Sequence, residues 1–453
     1  MARGPIRGTW CKVFLVMYPG PRSSWKTWLS YLNGQFAVVK VNGKVRILCE
    51  EFGPSSPWMR RVEFMTRGDF EVLLENQRVR VNGRLEPVAS RWLSDPQRRE
   101  FLSGIMFVPN GKVPEGVYNL WKGFAVAPEE GEVKPFLDFI HAVICAGDQA
   151  VYAYVVAWLA DAIQNPVRRP GTALVLRGGQ GIGKSFFAET FGMLFGQHFI
   201  EVNNPRHLVG NFNSHLLDKL VVFADEGSFE TKVAQSTLKN LVTAPTLSIE
   251  PKGVDVIQAK NLLRIIIAGN HERLVAAAGD ERRYLVLDVS DVHREDHAYF
   301  QALAAWRDNG GLAALLHFLQ HHNIEGINLR SVPRTNALLG MKLASLNGVD
   351  KWWYGRLYSG ELAPGRGWTD FVPISELHDT FTAEAGFARG RATQTELGTW
   401  LHRMVPNLKR NRRTNGKTRP WGYSFPPLVE CRANFEERMG QRVDWPDDEK
   451  KNG

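Results

Sequence analysis

The sequence predicts an α/β protein. Its central unit is a parallel β-sheet flanked by helices, with a small β-rich unit before it and a winged-helix-like unit after it. Three observations carry this expectation. Between residues 171 and 290, short apolar runs of strand length alternate with helical patterns, as a sheet covered by helices on both faces requires. Ahead of that region, β-rich runs surround Asn-Gly dipeptides, the residues of a tight hairpin turn. Behind it, two helical patterns precede a basic, turn-rich strand pair.

Size and composition fit several ordinary domains. A chain of 453 residues exceeds one hydrophobic core. Its 44% hydrophobic and 23% charged residues exclude a disordered or fibrous chain. No apolar run reaches the roughly 18 residues that a membrane-spanning helix needs. Arg3, Arg7 and Lys12 before Val13–Tyr18 faintly imitate a secretory signal, but the apolar part is short and Pro19 follows without a cleavage site. Cys11, Cys49, Cys145 and Cys431 form no C-x-x-C pair, so neither a zinc site nor a disulfide framework is indicated. The expected location is the cytoplasm, that of a bacterial host if a phage or plasmid encodes the chain.

Six regions follow in order. Residues 1–115 read as the β-rich accessory unit, with a hairpin over Phe36–Leu48 around Asn42-Gly43 and a second turn at Asn82-Gly83. Residues 116–170 read as a helical collar, apolar at helical spacing through Phe136, Phe139, Ile140, Val143 and Ile144. Residues 171–310 form the core, with strands over Ala173–Leu176, Lys219–Ala224, Leu262–Ala268 and Tyr284–Asp288. A helical linker spans 311–367, and the winged-helix-like unit spans 368–425, with helices Ile374–Ala385 and Gln394–Met404. Residues 426–453 read as a charged tail.

The formal charge is +9, and it is concentrated. Between Gly386 and Tyr423 stand Arg389, Arg391, Arg403, Lys409, Arg410, Arg412, Arg413, Lys417 and Arg419, against Glu396 alone. Such a patch is the footprint of nucleic-acid contact, and a solvated basic loop would carry the same charge.

Chemistry enters at Gly178-Gly179-Gln180-Gly181-Ile182-Gly183-Lys184-Ser185. This is the pattern G-x-x-x-x-G-K-[ST], with an apolar strand before it and a helical pattern after it. Glycines let backbone N–H groups approach phosphates closely, and the helix N-terminus adds partial positive charge. Lys184 is suited to the β- and γ-phosphates of ATP, and Ser185 to Mg²⁺. The apolar run Val221–Ala224 ends in Asp225-Glu226. Asp225 there would hold Mg²⁺ through its water shell, and Glu226 would polarise an attacking water. Ile265–Asn270 is a buried strand ending in Asn270, which suits a residue that orients that water or an ordinary Gly-Asn turn. Arg282 and Arg283 precede another strand, as an arginine finger toward a neighbouring subunit or as a surface ion-pair cluster. Two β-like runs surround Pro251-Lys252-Gly253, which reads as a hairpin with Lys252 at its tip.

These residues, in this order and within about a hundred residues, resemble the superfamily 3 helicases, above all the phage and plasmid helicases associated with primase-polymerases and related to the poxvirus primase-helicase. The resemblance covers roughly 115–355. It implies an AAA+-like P-loop NTPase core, a hexameric ring with ATP and Mg²⁺ between subunits, and 3′ to 5′ translocation on single-stranded DNA. By position in the motif, Arg283 matches the arginine finger better than Arg282, and Lys252 matches the channel lysine. Lys409, Arg410, Arg412, Arg413, Lys417 and Arg419 would contact duplex or forked DNA. Residues 1–170 contain no D-x-D pair, so primer synthesis is expected to belong to a separate primase-polymerase partner. The expected function is ATP-dependent DNA unwinding in phage, plasmid or mobile-element replication. The alternative is an ATP-dependent replication initiator or helicase loader that binds an origin without processive unwinding.

Overall fold

Strands buried on both faces must be mainly apolar, and the centre of this chain meets that demand in four runs. In the computed structural model, these four and one mixed edge strand make one parallel sheet: β1 (Ala173–Arg177), β2 (Phe199–Val202), β3 (Val221–Ala224), β4 (Arg264–Gly269) and β5 (Tyr284–Asp288), in the order β2-β3-β4-β1-β5. Alternate residues feed opposite faces. Leu174, Leu176, Phe223, Ile266 and Leu285 enter one core, and Val175, Val222, Ile265, Ile267 and Val286 the other. The structure describes residues 18–446, apart from 21, 54–55, 205–207, 209, 211–212, 226–230, 251–255, 272–273, 276–281, 347, 385–392 and 415–418.

Helix α1 (Gln149–Gln164) is apolar nearly all round and is buried against the first face. Helix α2 (Lys184–Met193) packs there too, beside Phe136 and Phe139. Helices His297–Trp306 and Leu312–His321 close the same layer, separated by a kink at Asn309 and Gly310. The opposite face is covered in part by helix Asn336–Ala344 through Ala337, Leu338 and Met341. Strand β2 was not expected from the sequence. It is short and lies at the sheet edge, and its mixed Phe-Ile-Glu-Val lacks the continuous apolar run of the inner strands.

In the N-terminal unit, Phe36–Val41 and Lys44–Gly53 pair in the expected hairpin. Asn42 and Gly43 both take positive φ, 47° and 75°, which a two-residue turn of matching twist requires. Asn82 and Gly83 repeat the device between Arg78–Val81 and Arg84–Pro87. The unit is less purely β than expected: helices Trp25–Gln35, Arg67–Leu73 and Val88–Ser94 bury Trp28, Phe70 and Trp92 against the sheet. Two of these helices have seven residues, too few for periodicity to register. The unit joins the core at His198. The Lys122 amide donates to Nε2 of that ring (3.0 Å), its Nδ1 donates to the Asp218 carbonyl (2.7 Å), and Trp121 stacks on it.

The C-terminal unit holds a three-stranded antiparallel sheet with Trp421–Ser424 between Phe371–Pro373 and Lys409–Arg412. Helices Ile374–Glu384 and Gln394–Met404 pack on it. Trp352 and Trp353, from helix Gly348–Ser359, belong to this core. The region read as a charged tail is instead structured in part: Leu428–Met439 is a helix that buries Cys431, Phe435 and Met439, and Trp445 is buried beside it. Among the described residues, no helix is long and apolar enough to cross a membrane.

Candidate functional site

A crossover places the site. β1 leads through α2 to the edge strand β2, then the chain steps back through β3 to β4, which lies against β1. The carboxyl ends of β1, β4 and β3 are therefore neighbours, and at such a reversal of strand order a crevice opens that suits a ligand. β1 delivers the glycine loop, β4 delivers Asn270 and β3 delivers Asp225. Gly178 N–H donates to the Gly269 carbonyl (3.2 Å) and ties the loop to the end of β4.

The loop needs its glycines. Gly181 and Gly183 have φ of 72° and 96°, which glycine adopts without strain. A Cβ at Gly183 would also lie 2.8 Å from Phe300 and 2.9 Å from Phe139. With the loop so held, Lys184 opens α2 and is only 9% exposed. Its ammonium donates to the Gly178 carbonyl (2.8 Å) and to that of Gly179. Ser185 Oγ donates to Asp225 Oδ2 (3.0 Å). A cavity lined by Gln180 to Phe186, Asp225, Gly269, Asn270 and Phe300 encloses these groups.

This donor set suits a polyphosphate with a hard divalent cation. A buried ammonium and a helix N-terminus face the cavity together, and they complement an anion. Ser185 and Asp225 present two adjacent oxygens, and Mg²⁺ takes one or two protein oxygens and completes its shell with water and phosphate.

Sequence reading missed several residues here. Glu189, one turn after Ser185, and Glu201 on β2 stand close enough to Asp225 to be affected by its charge. Burial first, then neighbouring carboxylates, holds the pKa of each above the usual carboxylate range. The turn after β5 was missed too. Glu295 N–H donates to the Gly181 carbonyl (3.1 Å), and a Cβ at Gly179 would lie 3.5 Å from the Arg294 guanidinium. Phe186 and Phe300, with ring centroids 6.1 Å apart, form an aromatic wall of the cavity. Only the spacing of Ser185 and Glu189 was readable in advance; the others are set by tertiary packing.

Not every expected residue joins the cavity. Arg282 and Arg283 stand at the amino end of β5, where the Arg283 carbonyl accepts from Ala173 N–H (2.8 Å). Since Tyr284 pairs with Ala173 and Asp288 with Arg177, they lie a strand length, roughly 16 Å, from the loop in the same subunit. Glu226, Lys252 and Lys417 lie outside the described residues. The arms of the expected hairpin are present as Thr246–Ile249 and Ile257–Lys260, paired antiparallel, so the second arm begins where it was expected to end. Lys409, Arg410 and Arg412 lie on one exposed C-terminal strand, with Arg413 and Arg419 nearby and also exposed.

Fold and cavity together define a mixed α/β protein built on a parallel sheet, with its glycine loop, lysine and paired serine and aspartate at the carboxyl ends of the inner strands. Residues 176–283, from the end of β1 to Arg283, match a family of unknown function (DUF5906). The chain is related in sequence to the DNA primase-polymerase of Nitratiruptor phage NrS-1, at 29% identity over 142 residues. That match takes in 30% of this chain and 20% of the relative, so it spans about a fifth of the viral protein. Apo structures of the NrS-1 C-terminal region share the fold. One has a TM-score of 0.61 at 16% identity, covering 88% of this chain and 98% of that one. A second, the A form, has a TM-score of 0.62 at 15% identity, covering 89% and 100%.

Proposed function

We propose that this chain is an ATP-hydrolysing DNA motor of the superfamily 3 helicase type, which acts in phage, plasmid or mobile-element replication and moves 3′ to 5′ along single-stranded DNA as a homo-oligomeric ring. The observation that carries the reading is the Ser185–Asp225 hydrogen bond beside the buried Lys184 ammonium. It joins a cation's oxygen ligands to a phosphate's counter-charge in one cavity. The relationship to a phage DNA primase-polymerase supports a role in replication.

In this mechanism Lys184 leaves the carbonyls of Gly178 and Gly179 for the β- and γ-phosphates, while the loop N–H groups and the α2 terminus hold the rest of the chain of phosphates. Ser185 and Asp225 would hold magnesium, which when bound would supply charge neutralisation at the phosphate oxygens. Asn270 orients the attacking water, and Glu226 accepts its proton. Phe186 and Phe300 offer an apolar wall to the base. Arg283, a strand length from its own loop, serves a neighbour's nucleotide, and the Lys252 hairpin grips DNA in the ring.

The deciding experiment measures ATP hydrolysis and unwinding of forked DNA. Lys184→Ala and Glu226→Gln should both abolish unwinding, while Glu226→Gln still binds ATP. Retained unwinding in either variant sinks the assignment. Hydrolysis without unwinding, together with protection of one DNA sequence in a footprint, would favour the initiator or loader instead.

A further inference from the structure

The C-terminal sheet carries an exposed aromatic that the basic residues alone do not explain. Trp421 is 45% exposed at the start of the central strand, directly opposite Arg412. The Arg412 guanidinium stands 4.6 Å from the indole centroid and that of Arg410 stands 5.0 Å from it. Arg413, by comparison, pairs with Asp370. Among the described residues neither Arg410 nor Arg412 has a carboxylate partner, so the indole face is all that offsets two like charges crowded on one ring. Crowding of this kind is relieved when an anion arrives.

The platform is also held in place. Arg410, Arg412, Trp421 and Tyr423 share one face of the strand pair. Tyr423 packs against helix Gln394–Met404, where a Cβ at Gly398 would lie 2.2 Å from its hydroxyl and where His402 meets the ring edge-on. The strands and the helix are therefore fixed to each other, with the indole beside them.

We propose that Trp421, Arg410 and Arg412 form a stacking site for single-stranded DNA, in which an unpaired base lies on the exposed indole and the flanking phosphates meet the two guanidiniums. Aromatic side chains beside backbone-tracking cations are how strands are held without sequence preference. A duplex offers phosphates but no free base face, so the indole favours single strands. The proposal deepens the motor reading and names where its DNA is gripped outside any central channel.

The test uses the full chain without nucleotide. Binding of a labelled 20-residue oligo-dT, a blunt duplex of equal length and an abasic strand is followed by anisotropy over a range of salt. Trp421→Ala should weaken oligo-dT binding about 10-fold, leave duplex binding within about twofold and shrink the preference for dT over the abasic strand. Trp421→Phe should recover most of the loss. Arg410→Ala with Arg412→Ala should lower the salt slope by about 1.4, or roughly 0.7 for each lost phosphate contact. DNA-independent ATP hydrolysis should be unchanged in all of them, which also reports folding. Unaltered dT binding in Trp421→Ala, or an equal loss on the duplex, overturns the proposal. If Trp421→Ala fails to fold, Trp421→Gln, which keeps bulk without an aromatic face, decides by the same comparison: unaltered dT preference overturns the proposal. Failure of Lys184→Ala to affect hydrolysis would refute the motor while leaving this site standing.

Discussion

Asp161 and Arg264 form an ion pair at 2.9 Å with neither side chain exposed. It joins α1 to the amino end of β4, the strand whose carboxyl end carries Asn270. Burial pulls the Arg264 pKa down to about 10 against the attraction of Asp161, so the guanidinium stays charged at neutral pH. One nitrogen, Nη2, meets Asp161 Oδ2 and the carbonyls of Asp161, Asn165 and Arg168. Removing Asp161 strands that charge in the core. Asp161→Ala should cost about 3–5 kcal/mol, read as a shift in the urea midpoint at constant slope. Arg264 Nε and Nη1 have no partner among the described residues, so replacing both residues by apolar ones should cost less than removing either alone.

His198 makes the junction with the N-terminal unit pH-sensitive. Burial depresses its pKa from 6.5 to about 4. The unfolded chain therefore binds a proton that the folded one refuses between these values. Stability is fully present above pH 6.5 and is lost as pH falls toward 4, by about 3 kcal/mol in total. Protonation of Nε2 also removes the acceptor of the Lys122 amide. His198→Gln should flatten the Tm profile between pH 7 and 4. A profile as steep as that of the wild type would place the acid sensitivity elsewhere.

Glu189 should behave in the opposite sense. Its pKa is raised, first by burial and then by Glu201 and Asp225, so its charged form opposes folding at neutral pH and the cost fades as pH falls. Glu189→Gln should raise Tm at pH 7.5 and converge on wild type near pH 4. Saturating Mg²⁺ with ATP should narrow the gap at neutral pH, because the cation offsets the carboxylates.

Asp225→Asn keeps an acceptor for Ser185 but removes the charge that would hold the proposed cation. The Mg²⁺ concentration for half-maximal hydrolysis should rise on the order of 10-fold or more, and chelation of the metal should abolish hydrolysis in wild type. Phe300→Ala, by contrast, should weaken nucleotide binding without changing the Mg²⁺ requirement. Titrating both variants with Mg²⁺ at fixed ATP, and with ATP at fixed Mg²⁺, separates the two effects.

The sheet was legible where physics left one solution. β1, β3, β4 and β5 carry apolar runs of four or more residues because helices cover both faces, with charges only at their ends (Arg177, Arg264, Asp288), and the glycine loop announces itself because few residues tolerate its backbone. β2 was not legible, since an edge strand with Glu201 turned toward carboxylates has no run to read. The final helix hid behind Glu430, Arg432, Glu436, Glu437 and Arg438, although Cys431, Phe435 and Met439 already stood at helical spacing. Arg294 and Phe300 reach the loop through packing between segments distant in sequence, which no local pattern encodes.

The segment between the 246–260 strand pair and β4 has a mechanical meaning. Asn261, only 2% exposed, donates to the carbonyls of Leu241 and Ala244 and accepts from Leu263 N–H. Three residues later Arg264 is clamped to α1. The short connection between the arm Ile257–Lys260 and β4 is thus anchored at both ends, to the 241–244 segment through Asn261 and to α1 through Arg264. If the chain is the motor proposed above, a stroke between Asn270 and the far end of that arm would have to pass through these two anchors or arise beyond them.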